Sequence, residues 1–285
     1  MKRNFRKPYR IKKKKSILKS RFFWLPVLIF TTVGGICYFI FFSSFFQIKE
    51  VKISGNQKIA TNKLESLVQS QLTKKIALFP TKSIFLANLG KIQKMGQDNF
   101  PQIAKISFKK DFPDIILVNV EERNPVAVLT HTLNSSSTAL FATTSAEVLE
   151  ENFFIDKEGI VFEKVLDPDS NLLKIENQIL PNKLRLGESV IEEPLVAKIL
   201  NIESKLKNEL EIKIDTVTIV SRKRLNVKAA EGWEVYFNPE GDMDWQITEL
   251  TAVLENKIPP EKRKNLGYID LRFEKIYIFP ENYNK

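Results

Sequence analysis

The spacing of apolar positions divides the chain into stretches of different period. Phe22 to Ile48 is a run without a single charged side chain, rich in Phe, Ile, Leu and Val. As a helix it would be about 40 Å long at about 1.5 Å per residue, enough to cross a hydrocarbon core of about 30 Å. Beyond it, Val51 and Ile53 alternate with Lys52 and Ser54, which predicts a short strand closed by the turn pair Gly55-Asn56. Leu64, Leu67, Val68 and Leu72 then recur at helical spacing, with Thr61 or Asn62 as the cap. A second helix is predicted over Ser83 to Met95, with Phe85, Leu86, Leu89 and Ile92 facing inward, ended by Phe100-Pro101. Ile106 and Phe108 alternate into a strand, Lys109 to Pro113 turns, and Ile115 to Val120 is an apolar strand ending in Glu121, Glu122 and Arg123. The order is strand, helix, helix, strand, strand.

After Pro125 the pattern changes to short strands. Val126 to Leu129, Phe153 to Asp156 and Ile160 to Phe162 are candidates, the last two joined by the Gly-containing hairpin signal Lys157-Glu158-Gly159. Between the first two, His131 to Glu150 is rich in Ser, Thr and Ala, a composition that predicts a mobile loop. Pro194 opens a long helix to about Leu210, with Leu195, Ile199, Ile202 and Leu206 on one face. Strands are predicted at Asp215 to Val220, Leu225 to Ala229 and Trp233 to Phe237, a helix over Asp242 to Asn256, and final strands at Tyr268 to Phe273 and Ile276 to Phe279. The fold class is α+β: one N-terminal transmembrane helix, a β-α-α-β-β module, then a mainly β domain with two helices.

Composition changes this picture in one respect. The chain carries 44 Lys and Arg against 34 Asp and Glu, a net charge of +10 that invites a nucleic-acid reading. Eleven of the 44 lie between Lys2 and Arg21, where there is no acidic residue, so the rest of the chain holds 33 basic side chains against 34 acidic ones. The body is nearly neutral, and nucleic acid is not the expected partner. A basic tail ahead of an apolar run places the N-terminus in the cytoplasm and the remainder outside it. The run is longer than a signal peptide's apolar region and ends in Phe45-Phe46-Gln47 rather than small residues, so an uncleaved anchor is expected.

Candidate chemistry is sparse. The one Cys, Cys37, lies inside the span, which excludes a disulfide framework and a Cys-rich metal site. The one His, His131, falls in the Ser/Thr-rich stretch without an evident partner. Glu121/Glu122 and Asp242/Asp244 could form carboxylate pairs of the kind that cut glycans, yet a strand end and a helix N-terminus account for them. Trp233 and Trp245 fall on apolar faces and read as core. No cofactor is implied, and function is expected to reside in surfaces. Exposed strand edges can accept a partner segment as an added strand.

Several stretches, taken in order, resemble the FtsQ/DivIB family of bacterial cell-division proteins. Phe46-Gln47-Ile48 through Val51-Lys52-Ile53-Ser54-Gly55-Asn56 resembles the entry to a POTRA domain, the polypeptide-transport-associated module. Phe112-Pro113, Ile115 to Val120 and Glu121-Glu122-Arg123-Asn124-Pro125-Val126-Ala127 resemble its end and the junction to the next domain. Phe154 to Phe162 is similar to the family's hairpin, and Tyr268-Ile269-Asp270-Leu271-Arg272-Phe273 to its penultimate strand. The resemblance implies a cytoplasmic tail over 1–21, a membrane helix over 22–46, a POTRA domain over 47–123 and a β domain over 124–285, with 131–150 as a mobile loop. It also implies a divisome scaffold at the septum, without enzymatic activity, that binds FtsB/DivIC-like and FtsL-like bitopic proteins and meets other division proteins through the POTRA module. The partner-binding residues carried over are Arg272, Phe273 and Glu274, with Ile276, Tyr277, Ile278 and Phe279 as the neighbouring edge. The alternative reading is a membrane-tethered peptidoglycan hydrolase.

Overall fold

The computed structural model describes residues 21–76, 79–133, 149–166, 171–181 and 183–280. The basic tail and most of the stretch expected as a mobile loop lie outside the described residues. Helix α1 runs over Arg21–Phe42. Among the described residues it is the one helix long and apolar enough to cross a membrane, over Phe22–Phe42. It ends where side chains from further along satisfy its last carbonyls, the groups a helix leaves unpaired at its C-terminus. Ile40 O accepts from Ser83 Oγ at 3.0 Å, and Phe41 O accepts from Gln47 Nε2 at 3.0 Å and from Thr81 Oγ1.

The chain divides into two compact units. Of the described residues, one comprises those up to Ser54 with those of Thr61–Ile92 and Ser107–Val118; the other comprises Gly55–Ala60, Gln93–Ile106 and those from Asn119 onward. The elements that follow α1 are β1 (Glu50–Ser54), α2 (Thr61–Leu72), β2 (Lys74–Ile76), β3 (Phe79–Thr81), α3 (Leu89–Asn99), β4 (Ile103–Asp111) and β5 (Ile115–Glu122). The sheet runs β1-β5-β4, and β2 and β3 form a separate antiparallel ribbon that hydrophobic spacing did not predict. Leu64, Val68 and Leu72 make the buried stripe of α2, as their spacing predicts. Helix α3 starts at Leu89 rather than Ser83, because Asn88 Oδ1 accepts the N–H of Lys91 at 3.1 Å and caps it there. Phe85 consequently lies before the helix, and its ring is exposed instead of facing inward.

The strands of the mainly β domain are β6 (Ala127–Leu133), β7 (Leu149–Ile155), β8 (Val161–Val165), β9 (Leu173–Asn177), β10 (Ile214–Ser221), β11 (Arg224–Ala229), β12 (Glu234–Phe237), β13 (Tyr268–Asp270) and β14 (Tyr277–Phe279). They form one nine-stranded sheet in the order β14-β13-β12-β11-β10-β9-β6-β7-β8. The joins β6/β9, β9/β10 and β12/β13 are parallel. Parallel joins need crossovers: the β7–β8 hairpin intervenes in the first, and helices α4 (Glu193–Glu209) and α5 (Met243–Asn256) supply the other two. Ile199, Ile202, Leu206, Ile247, Leu250 and Leu254 from these helices share one core with Val217, Leu225, Val235 and Ile269 of the sheet.

Three expectations are corrected. His131 lies in β6 opposite Glu151 and is 5% exposed, so the stretch from 131 begins as strand rather than loop. Trp233 is fully buried, but Trp245 is 61% exposed. The strand expected over Tyr268 to Phe273 stops at Asp270.

Candidate functional site

Asp270 determines where β13 stops. Its Oδ1 accepts the backbone N–H of Arg272 at 3.1 Å and Arg272 Nε at 2.9 Å, while Oδ2 accepts Nη2 at 2.6 Å. This two-pronged pairing bends the chain off the strand line. Arg272, Phe273 and Glu274 therefore occupy the turn between β13 and β14 rather than a strand. The Asp270 carboxylate beside it raises the Arg272 guanidinium above its usual value, against the opposing effect of burial.

The short strands at this end of the sheet have two different faces. Val235, Ile269 and Ile278 point into the core. Tyr236, Tyr268 and Phe279 stack across β12, β13 and β14 on the other face, with ring centroids 5.0 and 5.4 Å apart. Such cross-strand aromatic pairs stabilise a sheet and present a flat apolar strip. The guanidinium of Arg224 caps the strip 4.4 Å above the Tyr236 ring, and that of Arg272 lies 5.7 Å from the same ring and 5.1 Å from Phe273. All three distances suit cation–π attraction. Burial, and then the neighbouring Glu234, push the Tyr236 phenol above its usual value, with Arg224 opposing. The Tyr236 ring therefore stays neutral at physiological pH and is flanked by two cations.

The expected contact residues do not all face the same way. Phe273, Tyr277 and Phe279 are 56%, 48% and 52% exposed, and Phe273 meets Tyr277 edge to face at 6.1 Å. Glu274 is exposed, whereas Ile276 is half-buried and Ile278 is in the core. A recess of about 330 Å³ opens beside the turn, lined by Asn238, Asp242, Trp245 and Gln246 together with Arg272 and Phe273. Trp245 is the functional candidate that sequence reasoning missed. Met243, Ile247, Leu250 and Leu254 set the buried face of α5, and Trp245 is out of register with all four. That register, laid against the short strand after the helix, is the signal that could have found it.

Three of the four carboxylates in the candidate pairs have structural partners. Glu122 accepts three backbone N–H groups, Asp242 Oδ1 accepts the N–H of Trp245 at 3.0 Å, and Asp244 pairs with Lys205 Nζ at 2.9 Å. Among the described residues no group of three or more His, Cys, Asp or Glu could hold a metal ion.

The described residues thus comprise one apolar helix of membrane-spanning length, a small α+β module and a nine-stranded sheet with an aromatic edge. Residues 46–123 match the family model described as POTRA domain, FtsQ-type, and residues 147–272 match the one described as Cell division protein FtsQ/DivIB, C-terminal. The chain is also 21% identical over 176 residues to a protein described as Cell division protein FtsQ from Streptomyces bingchenggensis (strain BCW-1), a match covering 61% of this chain and 57% of that relative's length. The chain belongs to the FtsQ/DivIB family of cell-division proteins.

Proposed function

We propose that this chain is a non-enzymatic, single-pass scaffold of the division machinery, with its N-terminus cytoplasmic and its folded units on the other side of the membrane at the septum. It holds FtsB/DivIC-like and FtsL-like bitopic proteins at the β13–β14 end of the sheet, and its POTRA module receives other division proteins. The observation that carries this reading is the exposed set of Phe273, Tyr277 and Phe279, continuous with the Tyr268–Tyr236 stack and flanked by Arg224 and Arg272. Aromatic and arginine side chains are the residue types that dominate binding hot spots. Strand addition along β14 remains the expected mode of recognition, with these side chains setting specificity.

The test replaces Arg272 with Glu and Phe273 with Ala and measures capture of the FtsB-like partner from detergent-solubilised membranes. Loss of capture by a double variant that still folds is expected, its thermal transition lowered because the buried Asp270 loses its cation; full capture by the folded double variant would reject the site. The structural engagement of Glu122, Asp242 and Asp244 supports the scaffold reading over the hydrolase one. Incubating the full chain with peptidoglycan is expected to release no fragments.

A further inference from the structure

We propose that the aromatic surface around the end of α1 rests on the membrane itself, with Phe79, Phe85 and Phe112 seated at the boundary between hydrocarbon and headgroups of the bilayer that α1 crosses. This rests on the reading of α1 as a spanning helix. Its 22 residues rise about 33 Å at about 1.5 Å each, close to the thickness of a hydrocarbon core of about 30 Å. The last turn of α1 therefore lies at the boundary.

No linker separates that turn from the folded module. Ser83, Thr81 and Gln47 donate directly to the carbonyls of Ile40 and Phe41. From the same turn a chain of ring contacts leads outward. Phe42 meets Phe79 at 6.2 Å, and Phe39 meets Phe46 at 5.7 Å; Phe46 then meets Phe85 at 5.2 Å and Phe85 meets Phe112 at 5.3 Å. Headgroups add roughly 5–7 Å on each side of the hydrocarbon, so a ring touching the last turn of α1 reaches that layer. Phe79, Phe85 and Phe112 are nevertheless 66%, 43% and 56% exposed.

Single exposed apolar residues are normal on a protein surface, but contiguous ones mark an interaction surface. Continuity with the apolar surface of α1 points to lipid as the occupant, because lipid is what surrounds a spanning helix at the turn these rings extend. Lys82, exposed between Thr81 and Ser83, supplies a cation on an apolar stem, the kind of side chain that spans from acyl chain to phosphate. Docking of this kind would fix the tilt of the module on the bilayer, which a bare transmembrane tether does not.

The experiment uses the full chain reconstituted in vesicles of phosphatidylcholine and phosphatidylglycerol. A benzoylphenylalanine photocrosslinker is placed in turn at Phe85, at Phe112, at Phe30 within α1, and at Ser70, which is exposed on α2. Lipid adducts at 85 and 112 severalfold above those at 70, and comparable to those at 30, are expected. Lipid adducts at 30 alone would overturn the proposal while leaving the span intact. Absence of lipid adducts at 30 would overturn the spanning reading on which it rests. Adducts at 85 and 112 with the mass of a second chain would assign the surface to self-association and overturn the lipid seat.

Discussion

Glu122 gathers the N–H groups of Gln57, Lys58 and Ile59 on one carboxylate, at 2.9, 2.9 and 3.0 Å. The loop can approach because Gly55 adopts φ +87°, a conformation open to glycine, and a Cβ there would stand 2.1 Å from Val120 O. Burial pushes the Glu122 carboxyl up, but the backbone N–H groups of Ile59, Lys58 and Gln57 outweigh it and hold the group below its usual value. A carboxyl lowered in the folded state contributes stability above its unfolded pKa of about 4.3, and that contribution is lost as pH falls through the folded value. Glu122→Gln is expected to cost about 1–2 kcal/mol at neutral pH, the scale of hydrogen bonds to a charged acceptor. The gap between variant and parent should close in acid, as measured by urea unfolding of the detergent-solubilised chain on either side of pH 4. A gap independent of pH would contradict the assignment. The Gly55-Asn56 turn and the Glu121-Glu122 pair are each legible in the sequence. Their meeting is not, because more than sixty residues separate them and neither carries a periodic signal. His131 was misread for a related reason: the Ser/Thr-rich composition that follows it hid a strand residue that pairs with Glu151.

Elements with a strong period were readable, and those without one were not. The stripes of α2, α4 and α5 recur every three to four residues and fall on the buried faces. β9 is a five-residue strand in the middle of the sheet, held by parallel partners on both sides, and so short a run signals little alone. β13 was expected to run to Phe273 because its apolar alternation continues; the side chain of Asp270, a local hydrogen-bonding competitor, ends it. At α5, Asp242 accepts the N–H of Trp245 and fixes the first turn beside the site. Asp242→Ala is expected to cost about 1 kcal/mol, with Asp242→Asn retaining most of that, since both side chains cap well; thermal unfolding of the two variants measures it. Trp245→Ala separates stability from binding. An exposed side chain of this kind should change stability by no more than about 0.5 kcal/mol, while capture of the FtsB-like partner should fall severalfold. Undiminished capture would remove Trp245 and its recess from the binding surface.

At the scale of the whole molecule, the charge that suggests nucleic acid belongs to the tail, and the rest of the chain is near neutral. Neutrality does not mean that ionic groups are idle. Arg123 closes β5's exit with its backbone N–H on Gln102 O at 2.7 Å and its Nε on Pro101 O at 3.2 Å, and its Nη1 donates to Asp156 and, at 3.0 Å, to Glu158. The side chains of Arg123 and Asp156 are only 9% and 6% exposed. Asp156 Oδ1 in turn accepts the N–H groups of Glu158 and Ile160 and shapes the hairpin where Gly159 turns. One guanidinium thus joins the loop before β4 to the hairpin between β7 and β8, all within the second unit. The Glu-Arg-Asn-Pro run reads from sequence as a mere strand end, because the partners at 101–102 and 156–158 are distant along the chain. Removing one member of a buried pair leaves the other charge uncompensated, which costs about 3–5 kcal/mol. Arg123→Ala is therefore expected to destabilise on that scale and to raise hydrogen exchange at 101–103 and 156–160 together. Arg123→Lys, which keeps the charge but cannot bridge all of these acceptors at once, should fall between the variant and the parent. If exchange rises in only one of the two segments, Arg123 holds that segment alone and the unit is not tied through it.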